Sequence, residues 1–170
     1  MNRFTIPIAM LCLVTPAFAD DAADAIKAIQ SVGERSKGAT NARAAVQTLK
    51  QHGGKNLLPI LKAFKGSSLL TKNWLRSAFE AIADAEQKAG RALPKGDLLT
   101  FVKDTSESPS ARRLAFEWLL QRSPQLESKL IPGMLLDPSP DFRRDAVRRL
   151  IDQASEAKDD AATDLYEKAL

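Results

Sequence analysis

Apolar and polar positions recur along the chain in one short pattern that appears four times. The copies are Arg43-x-Ala45-Val46-x-x-Leu49, Arg76-x-Ala78-Phe79-x-x-Ile82, Arg113-x-Ala115-Phe116-x-x-Leu119 and Arg144-x-Ala146-Val147-x-x-Leu150. Their first arginines stand at 43, 76, 113 and 144, so successive copies lie 33, 37 and 31 residues apart. Each residue advances about 100° around a helix, which puts the Ala at 0°, the Leu or Ile at about 40° and the Val or Phe at about 100°. That is one apolar stripe, in which the small Ala admits a close neighbour and the larger residues fill the space between layers. A spacing of this size, varying with loop length, is that of stacked helix pairs.

A shorter apolar segment precedes each copy. Ala22 to Val32 carries Ala25, Ile26, Ile29 and Val32 on one face, and Asn56 to Phe64 precedes the second copy. Asp97 to Val102, introduced by Pro94 and Gly96, precedes the third, and Leu126 to Leu136 precedes the fourth. Gly33, Gly53-Gly54, Gly66 and Gly90 stand where helices should end. Ser123-Pro124 and Asp137-Pro138-Ser139-Pro140 form turns that also start helices. No segment alternates at period two for long enough to make a strand. The expected fold is all-α: an α-solenoid of about four helix pairs, near 20–52, 55–90, 94–123 and 125–155, plus a terminal helix over 158–170.

The first nineteen residues read as an address. Arg3 supplies a positive start, Ile6 to Val14 is an apolar run, and Ala17-Phe18-Ala19 has the small-x-small form that signal peptidase reads. Cleavage is expected between Ala19 and Asp20, with an exported product in the periplasm or outside the cell. The apolar run is far short of the roughly 20 residues that span a bilayer, and no transmembrane segment is expected in residues 20–170. The only cysteine, Cys12, lies in the leader, and Leu11 before it is too large for a lipidation signal. The mature chain is thus expected without disulfides, thiol nucleophile or cysteine metal ligand.

Lys and Arg number 25 against 21 Asp and Glu, with the two signs interleaved. Without Arg3 the excess is 24 over 21. A nucleic-acid binder usually shows a basic stripe, with aromatics where it holds single strands, and none stands out. Charge therefore argues against nucleic acid as the partner.

The stretch Leu135-Leu136-Asp137-Pro138-Ser139-Pro140-Asp141-Phe142-Arg143-Arg144-Asp145-Ala146-Val147-Arg148-Arg149-Leu150 resembles a HEAT repeat of the armadillo-type superhelical class. The third copy keeps Pro109, Arg112 and Ala115 around a longer turn; the second has Trp74, Leu75 and Ala78, and the first Asn41, Ala42 and Ala45. The resemblance implies curved surfaces that bind macromolecules, and the exported arrangement is similar to that of secreted bacterial HEAT-repeat proteins. It also implies a ladder of Asp and Arg along the inner side of the stack, here limited to Asp137, Arg143 and Arg112. The wheel agrees for Arg143, which falls at about 60°, inside the stripe, with Arg112, Leu75 and Ala42 as its equivalents. These residues are expected to be a structural link between layers.

Other candidates carry less. Arg43, Arg76, Arg113 and Arg144 fall at about 160°, on the flank of the stripe, and would align as a row. The row could serve an acidic partner, but Arg76–Glu80 and Arg113–Glu117 are i,i+4 pairs, and local pairing is the simpler reading. Arg143-Arg144 with Arg148-Arg149 is the densest basic patch, diluted by Asp141 and Asp145. Trp74 and Trp118 read as packing residues at the stripe's edge. His52, the single histidine, stands at a helix end and builds no catalytic constellation. No cofactor, metal site or catalytic residue is assigned. The functional expectation is an exported, non-enzymatic scaffold for another protein. Polyanion binding through the arginine flank and a structural segment of a larger exported protein are the alternatives.

Overall fold

The computed structural model describes residues 17–158 and 160–169. The leader's positive start and apolar run lie outside the described residues, while Ala19 and Asp20 fall in the first turn of the first helix. Nine α-helices are present among the described residues. They are α1 (Ala17–Gln30), α2 (Ala39–Gln51), α3 (Leu57–Lys62), α4 (Leu69–Lys88), α5 (Lys95–Lys103), α6 (Pro109–Arg122), α7 (Leu126–Leu130), α8 (Pro140–Glu156) and α9 (Asp160–Ala169). Helix α1 packs on α2, α3 on α4 and α5 on α6, while α7 and a 3-10 turn over Ile131–Met134 lead into α8. Helix α9 trails against α8. The fold is an all-α solenoid of helix pairs plus a C-terminal helix.

The repeated pattern supplies the core. Ala45, Ala78, Ala115 and Ala146 are all buried, as are Leu49, Ile82 and Leu119. Burial is deepest in the middle of the stack: Phe79 and Phe116 are enclosed, while Val46, Val147 and Leu150 in the outer copies are only half-buried. An outer layer has a neighbour on one side only, so its stripe is covered on one side only. Trp118 is buried edge-on against Phe79, ring centroids 6.1 Å apart, and ties the third pair back onto the second. Replacing Ala146 by phenylalanine should overpack the contact beneath α8 and cost about 1–3 kcal/mol in a urea titration. A cost near zero would show that the layer opens to admit the ring.

Local signals set the boundaries. Ser68 accepts the Thr71 amide at 3.1 Å and caps α4, and Pro109 and Pro140 open α6 and α8 where no amide is needed. Gly90, at φ +70°, ends the 20-residue α4. One element departs from expectation. The helix foreseen from Leu126 to Leu136 stops at Leu130 and continues as the 3-10 turn. Pro132 has no amide to donate and its ring crowds the carbonyl four residues back, so the α-helical ladder cannot run through it.

Candidate functional site

Arg112 and Asp137, singled out as ladder residues, meet in the interior. Arg112 stands on α6 with 0% of its surface exposed, and its fork grips both Asp137 oxygens at 2.9 and 2.6 Å. Its Nε–H donates to the Val102 carbonyl at 2.8 Å, satisfying an oxygen in the last turn of α5. Asp137 also accepts the Ser139 amide at 2.8 Å, and the Phe142 ring lies 5.0 Å from the guanidinium carbon. One cation thus holds α5, α6 and the turn before α8 together. Charge-assisted bidentate pairs are the strong kind, but this one is sealed from any substrate, so its work is structural.

Burial pushes the Asp137 carboxyl up, yet the Arg112 guanidinium, the Ser139 amide and the charge on Arg143 together hold it below its ordinary 3.8. A carboxylate lowered in the folded state stabilises the fold above its unfolded value and loses that contribution as pH falls through the folded one. The stability gap between wild type and Asp137→Asn should therefore be full above about pH 5 and shrink towards about pH 2. Urea titrations across that range measure it; a constant gap would refute the linkage.

Arg143 corrects the expectation that it points inward. It is exposed, and its Nη1 donates to the Asp137 carbonyl at 2.6 Å from the outer side. The equivalent positions Ala42, Leu75 and Arg112 are all fully buried. The difference is that α9, which lies beyond α8 on this side, covers it only in part and has none of its own described residues buried.

Three of the four arginines in the row, Arg76, Arg113 and Arg144, meet carboxylates, across as well as along helices. Arg76 meets Glu80 at 3.5 Å and Glu117 at 3.9 Å, and Arg113 meets Glu117 at 2.9 Å and also Asp145. Arg144 pairs with Asp141 at 3.0 Å. The result is a chain of alternating charge linking α4, α6 and α8, of which the sequence disclosed only the intrahelical pairs. Another buried acid went unnoticed in the sequence. Glu86, 5% exposed, takes a bidentate grip from Arg91 at 2.7 and 2.9 Å. Arg91's hydrogen bonds, opposed by burial and helped by the Gly54 amide, hold its carboxyl below the ordinary value. A Cβ on Gly53 would stand 2.9 Å from a Glu86 oxygen, and φ there is +72°, so glycine fits on both counts. His52 stands beside this turn, ending α2, and Trp74 is half-buried.

One open groove, of about 740 Å³, lies between the 135–136 segment, α8 and α9. Leu136 is 95% exposed and Ile151 44%, and with half-buried Val147 they form an aliphatic floor. Arg143, Arg144, Arg148 and Lys168 are the four cations that rim it. Arg144 is the one with a carboxylate partner; Arg148 and Lys168 have none among the described residues. The signal for this surface was present in the sequence as Val147 and Ile151 beside the densest basic patch. No cluster of three or more metal-ligating side chains occurs among the described residues, and no helix there is long and apolar enough to cross a membrane. No family model, curated protein or solved structure matches the chain.

Proposed function

We propose that this protein is an exported scaffold of HEAT type, binding another protein through its solenoid surface rather than catalysing a reaction. The observation that carries the reading is the uncovered aliphatic floor of Leu136, Val147 and Ile151. Contiguous exposed apolar surface rimmed by polar groups is the usual mark of a binding site. The repeat pattern supports the HEAT resemblance, and the leader pattern of residues 1–19 supports export.

Two measurements test the two halves. N-terminal sequencing of the protein made in a bacterial host should begin at Asp20; a chain retained from Met1 in the cytoplasm would end the export reading. A photoreactive amino acid at position 136 should yield a discrete protein adduct in envelope extracts, while one at Arg122, exposed but outside the groove, should not. Equal labelling from both positions, or none, would end the scaffold reading for this surface.

A further inference from the structure

Resting on the scaffold reading above, we propose that the groove between α8 and α9 takes an acidic amphipathic helix of the partner protein. Its aliphatic side chains would lie on Leu136, Val147 and Ile151, and its carboxylates against Arg143, Arg148 and Lys168.

The register of α8 argues for a helical occupant. Arg143, Val147 and Ile151 follow one another at i, i+4 and i+8, and Arg144 and Arg148 form the neighbouring row. Such rows are ridges, and the grooves beside them accept the side-chain rows of a second helix. In a longer solenoid the next layer would occupy this place.

Charge complementarity argues for acidity. Arg143 donates to a neutral carbonyl and its charge faces an Asp137 already gripped by Arg112, and Arg148 and Lys168 meet no carboxylate among the described residues. A second copy docking by the same face would bring cation against cation, because a two-fold interface apposes like patches. A nucleic acid would neutralise the rim yet leave the aliphatic floor without use, and no aromatic lines the groove for a base to stack on. An apolar row flanked by Asp and Glu satisfies both parts at once.

The test is selection followed by measurement. A phage-displayed library of helical peptides about 16 residues long, enough for roughly four turns, is panned on the purified full chain. Affinities of enriched peptides are then read by fluorescence anisotropy. Enrichment of Leu- or Ile-bearing sequences flanked by Asp and Glu is expected. The double variant Arg148→Glu/Lys168→Glu should weaken their binding about 10-fold or more, as should Leu136→Ser/Ile151→Ser. These side chains are exposed, so the fold should tolerate the changes, and Arg122→Glu should leave affinity unchanged.

Enriched peptides that are basic or uncharged, or whose binding ignores both groove variants, would overturn this proposal while leaving a scaffold that uses another surface. Equal binding of an acidic peptide stripped of its aliphatic residues, or of anionic phosphatidylglycerol vesicles, would overturn it in favour of a general anion surface. No enrichment at all would overturn the helix-in-groove proposal, while the adduct measurement at position 136 separately decides the scaffold reading.

Discussion

Replacing Arg112 by methionine is expected to destabilise the protein by about 3–5 kcal/mol, the usual cost of removing one partner from a buried ion pair. Methionine restores most of the volume but none of the three hydrogen bonds. Asp137 is left as an unpaired carboxylate at 7% exposure, and the Val102 carbonyl loses its donor. For a chain of this length each kcal/mol moves the melting temperature by roughly 2–4 °C, so calorimetry should record a fall of about 6–20 °C. Lysine should rescue little, since a single ammonium cannot grip both oxygens and the Val102 carbonyl at once. Removing both charges in Arg112→Met/Asp137→Leu should recover much of the loss, because apolar replacements of buried pairs are often neutral. A single-variant cost below about 1 kcal/mol, the scale of exposed pairs such as Arg76–Glu80, would show that the link is not holding the layers.

The parts of this fold legible in the sequence are those that depend on helical period alone. Ala78, Phe79 and Ile82 lie on one stripe because of the 100° step, and all three are buried. Glycine and proline marked most helix ends for equally local reasons. The step from face to environment is different in kind. The wheel puts positions 42, 75, 112 and 143 at one angle, yet three are enclosed and Arg143 meets solvent. An angle says which way a side chain leaves its own helix; only the next layer decides whether anything is there. The Arg113–Asp145 contact spans 32 residues, and its existence depends on how α8 settles on α6. Arg91 reaches Glu86 because the chain reverses at Gly90, a bend that a wheel drawn for α4 does not contain.

This distinction also separates the charges that can serve recognition from those that cannot. Two of the four flank arginines, Arg76 and Arg113, meet carboxylates of neighbouring helices and Arg144 meets one on its own, in exposed or half-exposed pairs each worth roughly 0–1 kcal/mol. Arg112 is committed to the interior. Among the remaining cations, Arg143, Arg148 and Lys168 stand beside exposed aliphatic residues of α8 and the 135–136 segment, where α9 gives only partial cover. Burial of apolar surface and neutralisation of charge are thus both available to the same partner there.

The second large effect concerns how α8 is held in place to present that groove. Phe142 stands in its first turn, fully buried, with its ring edge-on to Phe116 at 5.5 Å and beneath the Arg112 and Arg113 guanidinium groups at 5.0 and 5.8 Å. Phe142→Ala should cost about 3–5 kcal/mol, combining lost burial with the cavity left between α6 and α8. Phe142→Leu keeps most of the volume and should cost appreciably less. Because Arg112 rests on this ring, the two sites should be coupled: Phe142→Ala should cost about 0.5 kcal/mol or more less in the Arg112→Met background than in wild type. Additive losses would mean that the ring fills space without supporting the ion pair. Hydrogen exchange provides a local reading of the same event. In Phe142→Ala the amides of α8 should lose protection before those of α4, since Arg143, Val147 and Ile151 ride on the helix that has lost its anchor. Uniform loss along the solenoid would instead make Phe142 part of one cooperative core, with no separate hold on the groove.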